Sequence, residues 1–168
     1  TVIFDLTVAI EVGLVIACVL FMKRVMETTE ISVITDEIDP NKESDVEMHE
    51  EHLSVPDGVE VYEINGPYFF GIATKFEEIM ARLGDRPKIR IIRMRRVPFI
   101  DSTGIHNLTT FCEMSQKENI HLILSGVNTQ VHAALEKAGF YDLLGKENIC
   151  SNINEALSVA EKEIKKLE

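Results

Sequence analysis

The sequence predicts an α/β domain with a mostly parallel sheet, preceded by one membrane-spanning helix. Two observations predict this arrangement. Strand and helix patterns alternate from residue 57 onward, and an apolar run occupies most of the first 26 residues. Alternation of strands with helical patterns of about ten to sixteen residues implies parallel strands joined by right-handed crossovers. We therefore expect four or five strands and about four helices in the second region.

Charge divides the chain of 168 residues, whose formal net charge is −11, into three parts. Residues 1–26 are neutral, residues 27–56 carry ten acidic residues and one lysine, and residues 57–168 carry sixteen acidic and fourteen basic residues. We therefore predict a membrane helix, an acidic linker and a folded domain, in that order. The acidic total argues against a nucleic-acid partner, because such proteins neutralise phosphates with clustered cations.

The apolar run from Val8 to Met22 is interrupted only by Glu11, and together with the residues before it the run can cross most of a bilayer. Lys23 and Arg24 come directly after it. A secretory signal peptide carries its basic residues before the apolar run, so that interpretation is excluded. A buried helix of a soluble domain is still open because the strict run is short. We favour the last membrane helix of a bundle, with its basic end in the cytoplasm.

Glu11 is the candidate functional residue of the predicted membrane helix. An ionisable group inside a membrane is costly and usually faces a bundle interior or a water-filled path. The alternative is a carboxylate that reaches the interface of a short or tilted helix. The neighbouring membrane helices would distinguish the two. Because the chain begins with Thr1 and not with Met, we expect it to be the C-terminal piece of a longer protein.

The acidic linker has two parts of different composition. Residues 30–38 contain β-branched side chains that could pair or pack, whereas residues 36–51 are acidic and lack apolar periodicity. The second composition favours a solvated connector. His49 and His52 superficially suggest metal binding, but they have no cysteine partner and no defined scaffold, so we predict no metal site there.

The folded domain opens with a strand at residues 59–64, where apolar and polar residues alternate. A break at residues 65–67, followed by the aromatic run 68–70, predicts a hairpin. Residues 72–83 have helical spacing of apolar side chains and precede a glycine that suits a helix end. Residues 89–94 are predicted to form the next strand, with basic residues between the apolar ones.

Five further elements follow Pro98, and the last is an amphipathic helix over residues 153–167. Lysines in its final turn suit the negative end of the helix dipole. The others are a helix with Ile105, Leu108, Cys112 and Ser115 on one face, a strand at 121–125, a helix marked by Val131, Leu135 and Ala138 and closed by Gly139, and a short strand near Ile149.

The sequence contains none of the usual catalytic motifs. Phosphate-binding glycine loops, nucleophile elbows and zinc-protease motifs are absent. The three cysteines are widely spaced without a CxxC pair, which is typical of reduced thiols and not of zinc or disulfide frameworks. His106 and Cys112 are six positions apart and lie on different faces of the predicted helix. We therefore predict that the chain is not an enzyme and needs no cofactor or metal.

The segment Asp101-Ser102-Thr103-Gly104, between a strand and a helix, is the strongest candidate site in the domain. Asp, Ser and Thr are preferred helix N-caps, so capping alone would explain it. The alternative uses the same physics, because free N–H groups and the helix dipole also stabilise a phosphate. Phosphorylation of Ser102 would add nearly two negative charges and change how a partner docks.

Arg90, Arg93, Arg95 and Arg96 belong to a stretch with seven basic residues and one acidic residue between positions 82 and 96. One interpretation is a solvated face of the strand. The other is a docking patch for an acidic partner, such as the linker itself.

Two motifs resemble those of a known family. Residues 5–13, Asp-Leu-Thr-Val-Ala-Ile-Glu-Val-Gly, resemble the last membrane helix of the SulP family of sulfate permeases and related anion transporters. Residues 98–105, Pro-Phe-Ile-Asp-Ser-Thr-Gly-Ile, resemble a STAS domain, the cytoplasmic module of those transporters and of anti-sigma factor antagonists. The resemblance implies a STAS-like sandwich of a four- to five-stranded sheet and about four helices.

The resemblance also implies a function. It identifies a regulatory STAS module on a secondary active transporter of sulfate, bicarbonate or a related anion in the inner cell membrane, with residues 27–168 in the cytoplasm. In anti-sigma factor antagonists a partner kinase phosphorylates the serine that matches Ser102, so a phosphorylation-switched binding module is the alternative. The implied partners are the membrane with a transporter core, a regulatory protein at the Ser102 loop, and a second copy in a homodimer.

Overall fold

The computed structural model of the chain describes residues 6–27, 30–34, 37–38, 53–68 and 87–167. The predicted helix at 72–83, Phe69, Phe70, His49 and His52 lie outside the described residues. The helices are α1 (Leu6–Glu27), α2 (Ser102–Lys117), α3 (Thr129–Lys137), α4 (Phe140–Leu144) and α5 (Ile153–Leu167), with a 3-10 turn at Lys146–Asn148. The strands are β1 (Glu30–Ile34), β2 (Glu37–Ile38), β3 (Leu53–Ser54), β4 (Val59–Asn65), β5 (Ile89–Arg96), β6 (His121–Ser125) and β7 (Ile149–Cys150).

The N-terminal helix α1 has 22 residues. At 1.5 Å per residue it is about 33 Å long, slightly more than the hydrocarbon core of a bilayer. By length and composition, its segment Leu6–Arg24 could cross a membrane. None of this segment is buried against the described part of the protein. This exposure disfavours the alternative of a core helix in a soluble domain.

Five strands form one sheet in the order β1-β4-β5-β6-β7. β4, β5, β6 and β7 are parallel to one another, and β1 pairs antiparallel with β4. The predicted α/β class with a mostly parallel sheet is confirmed. Because the carboxyl ends of parallel strands meet at one edge, the loops after β4, β5 and β6 lie together there. We call this edge, made of residues 66–68, 95–104 and 126–128, the carboxyl rim.

β1 lies within the segment that the sequence predicts as an acidic linker. Glu30 pairs with Asn65, and Ile34 pairs with Val61, so β1 covers one side of β4. The β-branched character of residues 30–38 is therefore used for strand pairing, which was one of its two predicted uses. The sheet includes a strand upstream of residue 57, where the folded domain was expected to begin.

A second ladder of two short strands joins β2 to β3. Ile38 faces Leu53 in this antiparallel pair. The acidic residues 39–52 connect the two strands and lie outside the described residues. The chain therefore leaves the described fold after Ile38 and re-enters it at Leu53, its strand partner.

The predicted hairpin between residues 59–64 and 68–70 is wrong for the described residues. The neighbours of β4 are β1 and β5, and Tyr68 instead forms an isolated parallel bridge with Ile100. β1, which comes from upstream sequence, occupies the edge that the hairpin partner would have taken. Turn signals between residues 65 and 67 are local and could not indicate this competition.

Both faces of the sheet are covered by helices. Ile92 and Met94 of β5 contribute to a core beneath α2, α3 and α4, whereas Ile89 and Ile91 contribute to a second core beneath α5. This division follows from the alternation of side chains along a strand. Strands buried on both faces are usually near-continuous apolar runs, and β6, with the sequence His-Leu-Ile-Leu-Ser, comes close to this pattern.

The inner faces predicted for the helices largely agree with the structure. Ala138, which was predicted to belong to the third helix, follows its last turn as the C-cap and is exposed. The side chain of Ile105 is half-buried. The residues that are buried as predicted are Leu108, Cys112, Ser115, Val131, Leu135, Ile153, Leu157 and Ala160.

Candidate functional site

The loop Asp101–Gly104 lies in the carboxyl rim, where the chain passes from β5 into α2. Asp101 has an extended backbone, with φ −97° and ψ 177°, and is the N-cap of α2. Its Oδ1 accepts a hydrogen bond of 2.6 Å from the backbone N–H of Gly104. The Ile105 N–H donates to the Asp101 carbonyl at 2.9 Å. The capping function predicted for this segment is therefore observed.

Ser102 and Thr103 are the first two residues of α2, and both are exposed. The first turn of α2 contains no acidic residue. A phosphoryl group on Ser102 would lie beside the free N–H groups and the positive end of the helix dipole. Its nearest acidic neighbour in the chain is Asp101, the residue that caps the helix. The geometry thus allows modification of Ser102 without opening the fold.

Gly104 lets α2 approach the loop after β4 very closely. A Cβ added at position 104 would overlap the backbone oxygen of Tyr68 and lie 2.8 Å from the ring atom Cδ1 of the same residue. It would also lie 2.9 Å from Cγ1 of Ile100. Tyr68 is only 1% exposed. Burial raises the pKa of Tyr68 above its ordinary value, so this ring stays neutral and serves as packing.

The three loops of the carboxyl rim are joined by hydrogen bonds. The Tyr68 N–H donates to the Phe99 carbonyl at 3.0 Å, which links the loops after β4 and β5. Asn128 Nδ2 donates to the Val97 carbonyl at 2.5 Å, which links the loops after β5 and β6. Asn128 Oδ1 also accepts from the Val131 N–H at 2.9 Å and so caps α3. These bonds hold the loops in fixed relative positions.

Arg90, the first arginine of the predicted docking patch, is 6% exposed. It lies over the ring of Phe111 in α2, with its guanidinium carbon 5.6 Å from the ring centroid. Its Nη1 is 3.8 Å from a carboxylate oxygen of Glu118 and 3.5 Å from Oγ of Ser115. Arg90 therefore belongs to the packing between the sheet and α2.

Arg93 is also 6% exposed, and its side chain points to the opposite face of the sheet. Its Nη1 is 3.1 Å from a carboxylate oxygen of Glu63, the residue paired with it on β4. Glu60 is paired with Arg90 in the same register. The matched three-residue spacing of the two acids and the two arginines is a signal from which this pairing could have been found.

The docking patch predicted from four arginines therefore needs correction. Arg90 and Arg93 are buried because helices cover both faces of the sheet. Arg95 is exposed, and Arg96 is half-buried and donates from Nη1 to Asn65 Oδ1 at 3.2 Å. Arg95 and Arg96 are left at the carboxyl rim, where a docking partner stays a prediction.

The other candidate groups are spread over the fold. Glu11 and Cys18 are exposed on α1, and His106 is exposed on α2. Cys112 and Cys150 are buried, and burial raises the pKa of each thiol to about 11, so neither is a thiolate at neutral pH. Within the described ranges, no group of three His, Cys, Asp or Glu side chains could hold a metal ion.

The fold and the rim loop agree with one protein family. Residues 52–156 match the family described as STAS domain. The chain belongs to the STAS domain family. Two solved structures indicate the branch of that family. The sulfate transporter family protein from Wolinella succinogenes is 43% identical, with a TM-score of 0.64 over 67% of this chain and 93% of that one. The SulP transporter STAS domain from Vibrio cholerae is 38% identical, with a TM-score of 0.60 over 67% and 88%.

The relatives in this branch are sulfate transporter proteins. The protein named "Putative sulfate transporter YvdB" from Bacillus subtilis (strain 168) is 27% identical over 162 residues, which cover 92% of this chain and 27% of that protein. The chain thus spans about a quarter of the length of the curated relatives it matches. An anti-sigma factor antagonist from Mycobacterium paratuberculosis, 17% identical with a TM-score of 0.54, shares the fold alone.

Proposed function

We propose that the chain is the last membrane helix and cytoplasmic STAS module of a secondary active transporter for sulfate, bicarbonate or a related anion. The observation that carries the proposal is the close succession of two units: α1 ends at Glu27, and the sheet begins with β1 at Glu30. Lys23 and Arg24 near the end of α1 support a cytoplasmic position for the STAS domain. In this proposal the STAS module regulates, dimerises or traffics the transporter and performs no chemistry.

The regulatory element in this proposal is the Ser102 loop. Ser102 is exposed at a helix N-terminus on a rim whose loops are hydrogen-bonded together, so a charge added there would be presented on a rigid surface. A regulatory protein is the partner proposed for the Ser102 loop, and a second copy of the chain is proposed as the partner in a homodimer. Glu11 is proposed to face the transporter core, because an isolated carboxylate in lipid is costly.

The second candidate is a phosphorylation-switched binding module of the anti-sigma factor antagonist kind. The shared fold and the position of Ser102 favour it. Helix α1 disfavours it, because a soluble antagonist has no use for an exposed apolar helix of this length.

Membrane topology separates the two candidates. The chain expressed in bacteria should sediment with the membranes and resist alkaline extraction. Protease should degrade residues 57–168 in inverted membrane vesicles and leave them intact in spheroplasts. Val15→Arg in the middle of α1 is the matched control: it should release much of the chain, because a central arginine opposes insertion by about 3 kcal/mol. Cleavage in spheroplasts would contradict the orientation, and a wholly cytosolic chain would favour the second candidate.

Ser102→Asp tests the regulatory element in the full-length transporter. An aspartate at this first helical position meets the positive end of α2, so the stability of the domain should change by less than about 1 kcal/mol. Uptake of labelled sulfate should nevertheless change. Thr103→Asp is the control, since it adds the same charge one exposed residue away. If the Ser102→Asp variant takes up sulfate as the unmodified transporter does, the loop serves only as a helix cap.

A further inference from the structure

The end of α1 and the carboxyl rim are joined by a very short connection. Glu27 and Glu30 are separated by three Cα–Cα steps, at most about 11 Å. Glu30 pairs with Asn65, and Asn65 pairs with Arg96, which places Arg96 two strand spacings, or about 10 Å, from Glu30. The carboxyl end of β5 therefore lies within about 20 Å of the last residue of α1.

The acidic segment is attached to the opposite end of the sheet. β1 runs antiparallel to β4, and its last residue, Ile34, pairs with Val61 near the amino end of β4. The chain re-enters the sheet at Val59, also at the amino end. Residues 39–52, which contain six acidic residues and one lysine, are inserted between these two points. One short strand, about 13 Å long, thus separates the acidic end of the domain from the carboxyl rim.

The carboxyl rim exposes both a cation and an aromatic ring. Arg95 is exposed, and Phe99 is 42% exposed. Phe99 is one of two large hydrophobic side chains that are exposed in the described part of the STAS domain. Basic side chains are attracted to anionic lipid headgroups, and aromatic rings sit favourably at headgroup depth.

We infer that the carboxyl rim faces the anionic lipid surface of the membrane that holds α1, and that the opposite end of the sheet, where β1 ends and β4 begins, faces the cytoplasm. The inference rests on the proposed function, because it takes α1 as a membrane helix. The short connection keeps the rim within reach of the lipid headgroups. Charge determines which end of the sheet faces the membrane, because lipid phosphates attract Arg95 and repel the acidic segment. Ser102 lies at this surface, so a phosphoryl group there would weaken the contact.

The test measures how close each end of the domain lies to the lipid. The complete chain, with Cys18→Ser, is reconstituted into phosphatidylcholine vesicles that contain phosphatidylglycerol and a headgroup spin-labelled quencher lipid. One fluorophore is attached to either Thr103→Cys at the N-terminal turn of α2 or Asp57→Cys at the amino end, both at exposed positions. The remaining Cys112 and Cys150 are buried and do not compete for the label. We expect the lipid to quench the Thr103 label and to leave the Asp57 label bright.

Charge reversal then tests the cause of the orientation. The quenching of the Thr103 label reports the ratio of domains that contact the lipid to domains that do not. Arg95→Glu should lower this ratio at least about fivefold. Lys88→Glu is the matched control, because Lys88 is exposed at the amino end of β5 and its reversal should leave the quenching unchanged. In vesicles of phosphatidylcholine alone, the Thr103 label on the chain with Arg95 intact should be quenched as weakly as it is after Arg95→Glu.

The outcomes separate this inference from the proposed function. A chain that does not float with the vesicles would defeat both, because α1 would not be a membrane helix. A chain that floats but shows equal quenching at the two labels, or stronger quenching at Asp57, would overturn the orientation and leave the transporter proposal standing. Unequal quenching that is insensitive to Arg95→Glu and to lipid charge would overturn the anionic lipid as the occupant.

Discussion

Gly104→Ala is expected to destabilise the STAS domain by about 2 to 3 kcal/mol, because position 104 has no room for a methyl group. The added Cβ would overlap the backbone oxygen of Tyr68 and lie 2.8 Å from its ring. A backbone oxygen cannot rotate away as the end of a flexible side chain can. Alanine favours helices over glycine by up to about 1 kcal/mol, which offsets only part of this cost.

The measurement is urea denaturation of the complete chain in detergent, followed by far-ultraviolet circular dichroism. Thr103→Ala is the control, because it changes the exposed preceding residue of the same helix turn and should shift the midpoint little. An unchanged midpoint for Gly104→Ala would mean that α2 can move away from Tyr68 at no cost. The carboxyl rim would then be less rigid than its hydrogen bonds indicate.

The effect of Gly104→Ala should extend to function. Tyr68, Phe99 and Asp101 are linked through backbone hydrogen bonds next to this contact, so a displaced α2 would also displace the Ser102 loop. We expect a smaller response of such a variant to Ser102→Asp than the unmodified chain shows. The capping residue and the packing glycine of this loop therefore support the site in different ways: Asp101 starts the helix, and Gly104 sets its distance from the sheet.

Elements with strong local periodicity could be predicted from the sequence. The strand at 121–125 and the helices that follow Pro98 and residue 152 have their apolar residues at the spacing of one buried face, and they are observed. Asp101 could be predicted as a cap from residue type alone. Helix α4, with five residues between Gly139 and Gly145, is too short to show a period and was not predicted.

Features that depend on distant residues could not be predicted in the same way. β1 takes its place beside β4 by pairing across more than 25 residues of intervening sequence, and no turn signal records that choice. The arginines of β5 are typical of a solvated face when that strand is considered alone. Their burial follows from helices on both faces of the sheet and from acids on the neighbouring strand. Long-range pairing thus decided which arginines are left for the carboxyl rim.

The buried pair of Arg93 and Glu63 should give the second large effect. Their charged atoms are 3.1 Å apart, and their side chains are 7% and 14% exposed. Removal of one partner leaves the other charge buried without compensation, which typically costs about 3 to 5 kcal/mol. We therefore expect Arg93→Met to destabilise the domain by that amount.

The double variant Arg93→Met with Glu63→Gln should recover most of the loss, because no buried charge is then left unpaired. Ser125→Ala provides a matched control on the strand paired with Arg93. Ser125 is 1% exposed, and its Oγ has no hydrogen-bond partner in the described part of the protein, so its removal should cost little. Urea midpoints of these variants and of the unmodified chain complete the measurement. Equal losses for Arg93→Met and the double variant would mean that Arg93 acts through packing of its aliphatic stem and not through its charge.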